Sequence, residues 1–228
     1  MSARTASTPT GSRRGAPSID VVILTPHGRR LMVLLVRAPA KSRERWQLPW
    51  RPLRPDETID AEAERLAKKT LGTAPALVEQ AAAFGDRRRH PSGAELSVAF
   101  LALIDEETSA GVEGDASWHA VDDLPPLPPR QRAMLETVQA SLRARLDQAP
   151  IAFHMLPLTF TLTQLQEIYE LLLGRRLHKA SFRRSLHAAW LVEPTDEWRS
   201  EGRGRPAQLF RYAPKKRRGG RRGVRFGS

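Results

Sequence analysis

The pattern of apolar and polar residues changes once, near Pro150, and this constrains the fold more than any other feature of the 228-residue chain. Before it, short β-branched runs alternate with turn signals and helical stripes. After it, two helices follow in close succession and lead into two short strands. Neither an all-helical nor an all-strand architecture accommodates both patterns, so the expectation is an α+β chain with two units. Charge divides at the same place. Residues 1–150 hold 21 Lys+Arg and 19 Asp+Glu, whereas residues 151–228 hold 16 and 6, so +10 of the formal net charge of +12 belongs to the last third. A balanced unit joined to a basic one points to a polyanion partner for the second. A solubilising basic surface is the bland reading of the same numbers.

Composition removes several function classes. With no cysteine, the chain has no disulfide framework, thiol nucleophile, iron–sulfur cluster or cysteine-ligated zinc. No window approaches the roughly 18 consecutive apolar residues of a membrane span. Met1 to Pro17 carries Arg4, Arg13 and Arg14 among Ser, Thr, Gly and Pro without an apolar stretch. It reads as a disordered basic tail and not a secretory signal, so a cytoplasmic protein is expected. The histidines are scattered, no His/Asp/Glu group has metal-ligand spacing, and no Ser–His–Asp arrangement stands out.

Ile19–Leu24 and Leu31–Val36 flank Thr25-Pro26-His27-Gly28 and read as a β-hairpin. Trp46–Leu53 is a third extended segment, held out of helix by Pro49 and Pro52. Thr58–Leu71 reads as a helix stopped by Gly72, with Ile59, Ala63, Leu66 and Ala67 at helical spacing. On it, Glu62, Glu64, Lys68 and Lys69 read as a solvated face. Strands are expected at Leu77–Phe84, Leu96–Ile104 and Ser117–Val121, then a helix at Arg130–Leu146. Beyond Pro150, Thr161 and Gln164 form a capping box ahead of a stripe of Leu162, Leu165, Ile168, Tyr169 and Leu172 ending at Gly174. A second helix at Lys179–Trp190 turns Phe182, Leu186 and Ala189 inward and Lys179, Arg183, Arg184 and His187 outward. Strands at Leu191–Pro194 and Ala207–Tyr212 enclose a polar loop with Arg199, Arg203, Gly204 and Arg205. Helix–turn–helix followed by a basic hairpin is the plan of a winged helix.

The first unit resembles the Nudix fold, an α/β/α sandwich with a mixed sheet, and its signature can be tested position by position. The family's box is G-x5-E-x7-R-E-U-x-E-E-x-G-U, where U is bulky and apolar. With Glu57 as its first Glu, Arg65 and Gly72 take the Arg and last Gly without a gap, and Leu48-Pro49 precedes it as in many members. The chemistry-bearing positions differ. The first Gly is Arg51, beside Trp50; the three helix carboxylates are Leu66, Lys69 and Thr70; the final apolar residue is Thr73. Diphosphate hydrolysis in this family needs divalent cations held by carboxylates, and Lys69 brings a fixed positive charge to that place. A pocket that binds a nucleotide without cleaving it is the resulting expectation. Trp46 and Trp50 are candidates to stack on a base or ribose, and Arg37, Arg51 and Arg54 to hold phosphates. Core packing is the bland reading of both tryptophans.

Pro157–Gln166, Tyr169-Glu170, Leu173-Gly174-Arg175, Phe182-Arg183-Arg184, Glu193-Pro194-Thr195 and Gly204-Arg205-Pro206-Ala207 carry a second resemblance. They are similar to the C-terminal winged helix of the Nudix-related transcriptional regulators of NAD metabolism. Trp118 and Leu124-Pro125-Pro126-Leu127-Pro128 agree with that family. The resemblance implies a homodimeric repressor on a palindromic double-stranded operator, released by a nucleotide effector such as ADP-ribose or NAD, with no metal and no other cofactor. It also implies a reading helix with Lys179, Arg183, Arg184 and His187 towards DNA, wing contacts from Arg203 and Arg205, and phosphate contacts from Arg175 and Arg176. The expected layout is a tail at 1–17, an effector-sensing unit at 18–148, a winged helix-turn-helix at 149–213 and a basic tail at 214–228. Two other readings stay open on the residues alone. One is an active nucleoside-diphosphate hydrolase. The other is a non-specific nucleic-acid binder, for which the Lys215–Arg222 run is well suited.

Overall fold

The computed structural model of the protein describes residues 16–112, 114–200 and 206–214. Both expected basic tails, apart from Ala16, Pro17 and Pro214, lie outside these residues, as do Arg203, Gly204 and Arg205. Strand β1 (Ser18–His27) turns at Gly28, whose φ of +55° suits a residue without Cβ, into β2 (Arg30–Arg37). The expected third extended segment is two short strands, β3 (Trp46–Gln47) and β4 (Trp50–Pro52). Helix α1 (Ile59–Leu71) follows, its N-terminus capped by Thr58 Oγ1 accepting from the Ala61 amide at 3.2 Å. Then come β5 (Leu77–Phe84), β6 (Ser97–Leu103), the short α2 (Glu106–Ser109), β7 (Ala116–Ala120) and α3 (Pro129–Arg145).

The sheet runs β3-β2-β1-β6-β5, with β4 on β1 and β7 on β2. It is mixed because β1 and β6 are parallel while the other pairs are antiparallel. Alternate residues of β1 feed two layers. Ile19, Val21 and Ile23 pack with Ala63, Leu66, Ala67 and Leu71 of α1, whereas Val22 and Leu24 pack with Met134, Leu135, Val138 and Leu142 of α3. Every residue of β6 is buried, as its unbroken apolar run requires when both faces are covered. The α/β/α sandwich is therefore as expected.

One polar cluster interrupts the α3 layer. Asp20 Oδ1 accepts from Gln131 Nε2 at 2.7 Å and lies 2.9 Å from His90 Nε2, while Ser18 Oγ donates to Asp20 Oδ2 at 2.8 Å. All four residues are buried, so the cluster ties the start of α3 and the 85–96 loop to β1 through satisfied groups.

After α3 a buried 3-10 helix (Ile151–Met155) leads to β8 (Thr159–Thr161), α4 (Leu162–Leu173), α5 (Lys179–Ala189), β9 (Val192–Arg199) and β10 (Ala207–Tyr212). Strands β8, β10 and β9 form a second sheet in that order. The capping box is present: Thr161 Oγ1 accepts from the Gln164 amide at 3.1 Å and Gln164 Oε1 from the Thr161 amide at 2.8 Å. Strand β9 continues past Pro194, where the expected strand stopped, because it is an edge strand and a missing N–H is tolerated there. The two units share one apolar cluster in which Met134, Leu142 and Leu146 meet Phe153, Phe160, Leu165 and Phe182. Arg143 Nε also donates to the Leu172 carbonyl at the end of α4, at 3.2 Å. Among the described residues, no helix is long and apolar enough to cross a membrane.

Candidate effector pocket and nucleic-acid interface

Helix α1 brings its charge to one cavity. Arg65 makes a two-pronged ion pair with Glu57 and also bonds Glu62, whose side chain is fully buried. Arg54 Nε stands 3.6 Å from Glu62 Oε2 and 3.9 Å from Glu57 Oε2. The Arg65 guanidinium holds the Glu57 carboxyl down to about 2, whereas burial pushes that of Glu62 up. Glu62 therefore does not belong to the solvated face expected for it. The signal was its position three residues before Arg65, one turn away on the same side of the helix. A cavity of about 160 Å³ is lined by Arg51, Arg54, Glu62, Arg65, Leu66 and Lys69. An open cleft of about 450 Å³ shares Arg51, Leu66 and Lys69 with it and adds Trp50, Asp115 and Ala116 among others.

The residues present do not fit a divalent cation. Leu66 is 5% exposed and packs into the α1-side core, so that box position offers no ligand. Thr70 turns its hydroxyl to the Leu66 carbonyl at 2.8 Å, and Lys69 is a cation at the cavity edge. Among the described residues, no group of three or more His, Asp or Glu side chains is placed to hold a metal ion.

Three of the five expected effector residues, Trp50, Arg51 and Arg54, line these adjoining spaces. Trp50 Nε1 donates to Gln47 Oε1 at 3.2 Å and its ring meets His90 edge-on, with centroids 5.2 Å apart. Arg37 and Trp46 form a separate pair. The Arg37 guanidinium lies 5.3 Å from the Trp46 ring centre, and Trp46 packs against the α3-side core and edge-on to His119 at 4.7 Å. The Nε2 of His119 is buried without a hydrogen-bond partner among the described residues, and burial lowers the pKa of this ring.

The second region is α5. Phe182 and Leu186 are at most 1% exposed and seat the helix on α4, where Tyr169 meets the Phe182 ring with centroids 5.7 Å apart. The opposite face exposes Lys179, Arg183, Arg184 and His187. None of these four makes an ion pair among the described residues. Arg175 and Arg176 stand in the α4–α5 turn, with Arg176 Nη1 3.5 Å from Glu170 Oε2. They line a cleft of about 560 Å³ between the units, opposite Arg29 of the β1–β2 turn and Arg30 at the start of β2. Trp198 on β9 is 57% exposed, in register with Gln208 of β10. Sequence reasoning had not singled it out, because a lone Trp in what read as a polar loop gives no sign of pointing outward.

Residues 15–138 match the NUDIX domain family, and residues 152–212 match the NrtR DNA-binding winged helix domain. A relative from Acinetobacter baylyi, the ADPR responsive transcriptional repressor NtrR, is 29% identical over 204 residues, spanning 86% of this chain and 81% of that protein. The crystal structure of Shewanella oneidensis NrtR complexed with a 27mer DNA superposes with a TM-score of 0.78 at 28% identity, covering 87% of this chain and 94% of that one. A MutT/nudix family protein from Enterococcus faecalis has a TM-score of 0.73 at 18% identity, covering 88% and 89% of the two chains, which is likeness of fold alone.

Proposed function

The chain belongs to the Nudix family, and from that membership and the winged helix behind it we propose a ligand-responsive, DNA-binding transcriptional repressor of NAD-related metabolism. The observation that carries the DNA half is the outer face of α5, where Lys179, Arg183, Arg184 and His187 stand exposed without counter-ions among the described residues, on a helix firmly seated by Phe182 and Leu186. Such a helix enters a major groove, with arginines suited to guanine edges and Lys179 to phosphate. Arg175 and Arg176 add DNA-backbone contacts, and the same role is proposed for Arg203 and Arg205, which lie outside the described residues.

The sensing half is the Nudix-like unit, 18–148, ahead of the winged helix at 149–213. It takes ADP-ribose or a related nucleotide such as NAD and does not hydrolyse it, since Leu66, Lys69 and Thr70 replace the carboxylates that hydrolysis requires. The name of the Acinetobacter relative supports ADP-ribose as the effector. A homodimer on a palindromic site, acting in the cytoplasm, completes the reading. Effector binding lowers operator affinity only if the nucleotide binds the released form more tightly than the DNA-bound form.

Gel shifts with DNA from upstream of the protein's own operon test this. Binding should survive excess competitor DNA, fall on addition of ADP-ribose, and be lost with Arg183→Ala plus Arg184→Ala. Equal affinity for scrambled DNA would sink the repressor reading. Steady AMP release from ADP-ribose with magnesium or manganese, above a heat-killed control, would restore the hydrolase.

A further inference from the structure

The cleft of about 560 Å³ between the two units shares no residue with the α1 cavity or with the cleft beside it. Its walls carry five arginines against three carboxylates, so it is net basic. Two of the arginines are answered within the fold. Arg30 Nη2 lies 2.7 Å from Asp122 Oδ1, and Arg176 Nη1 lies 3.5 Å from Glu170 Oε2. A third, Arg143, is spent on the Leu172 carbonyl. Arg29 and Arg175 are exposed and make no hydrogen bond or ion pair through their side chains among the described residues. The remaining carboxylate, Glu167, is exposed on α4 and pairs with neither. Two cations without a counter-ion thus stand on opposite walls of one cleft.

Both cations have fixed mounts. Gly28 and Arg29 form the two-residue loop of the β1–β2 hairpin, where His27 pairs with Arg30. Gly28 takes the positive φ, its amide donates to Glu106 Oε1 at 3.2 Å, and the Arg30–Asp122 pair holds the start of β2. On the other wall, Glu170 Oε1 accepts from the Leu177 amide and from Gln166 Nε2, both at 2.9 Å, and so braces the α4–α5 turn that presents Arg175. Only the two side chains are left to be ordered when an anion binds. The position of the turn selects the anion. Arg175 stands four residues before Lys179, where the reading helix begins. A duplex that receives α5 in its major groove carries its phosphate backbone past this turn.

We propose that Arg29 is a DNA-contacting residue of the first unit: across the cleft from Arg175 it holds a phosphate of the same backbone, so the Nudix-like unit itself grips the operator. The proposal rests on the DNA-binding reading and extends the contact surface beyond the winged helix. A contact of this kind carries no base information. It adds affinity through charge and counterion release, and therefore shows itself in salt dependence and not in sequence preference.

Fluorescence anisotropy of a labelled operator duplex with the full-length chain, over about 50–200 mM salt, tests the contact. Arg29→Ala should weaken binding about three- to tenfold and lower the slope of log affinity against log salt by about one per protomer. The same loss should appear on scrambled DNA, and Arg29→Lys should keep most of the affinity. The melting temperature should not move, since Arg29 is exposed at a loop tip. Lys41→Ala, which removes an exposed cation of the first unit outside the cleft, should leave the slope unchanged. An unchanged slope in Arg29→Ala, or an equal loss in Lys41→Ala, overturns the proposal. So does an Arg29→Ala variant that binds DNA normally and loses only a rise in melting temperature given by inorganic phosphate, because the cleft then holds a small anion. The repressor reading is judged apart. It fails if the unaltered chain prefers no sequence, whereas a slope lost with Arg29 on any duplex still supports the contact.

Discussion

Helices α1 and α5 are built to one recipe and differ in charge: α1 balances three acids against three bases, and α5 has three bases and no acid. Each buries an apolar side and carries cations on the rest of its surface. On α1 the opposing carboxylates come from the same stretch of chain, so Arg65 is closed into a network with Glu57 and Glu62. On α5 no acidic residue occurs between Lys179 and Ala189, and its cations stay open to solvent. The difference teaches that arginine count says little about function. What counts is whether the fold supplies the counter-ion or leaves it to a partner. Arg51 and Lys69 are the exceptions on the α1 side, lining the cavity without an ion pair among the described residues.

The largest expected effect bears on the part the two helices share, their seating. Phe182→Ala removes a fully packed ring from the cluster joining both units and should cost about 3–5 kcal/mol of stability, seen as a lower melting temperature. Next comes the open surface. Arg184→Ala should cost about 1–3 kcal/mol of operator binding with the melting temperature hardly moved. If stability fell and binding did not, the cations of α5 would be structural and the contrast would collapse. The caps sharpen it further. Thr161→Ala breaks a reciprocal box and should cost about 1–2 kcal/mol, against about 0.5–1 for Thr58→Ala, whose cap is one-way, as chemical denaturation would report.

The smallest effect concerns the closed network. A carboxyl lowered from 4.5 to about 2 stabilises the fold above its ordinary value and loses that contribution as pH falls towards 2. The difference in melting temperature between the unaltered chain and Glu57→Gln should thus be present at pH 7 and fade between about 4.5 and 2. A difference independent of pH would show that the Glu57–Arg65 pair contributes no charge interaction.

Much of this was legible beforehand where one segment holds the whole signal. Thr161 and Gln164 announce their cap, Phe182 and Leu186 their buried side, and Gly72 its stop, each within a few residues of the structure it specifies. What stayed hidden depends on segments distant in sequence. Trp46 of β3 pairs with Arg37 of β2 and meets His119 of β7, so no local pattern shows that its ring belongs to the core side. Asp20, His90 and Gln131 likewise come together only once β1, the 85–96 loop and α3 are in place. Strand β8, the short α2 and the 3-10 helix escaped notice because three to five residues hold too little periodicity to read.

The parallel β1–β6 ladder has a consequence for synthesis. Ser18 pairs with Ser97 and Leu24 with Leu103, so the centre of the first sheet cannot close until its far partner has left the ribosome. At about 5–20 residues per second, β1 waits roughly 4–16 s for β6, the strand that pairs with Val21, Val22 and Ile23. Because β1 and β6 help build the cluster on which α3 and then α4 and α5 rest, the DNA-reading end matures last.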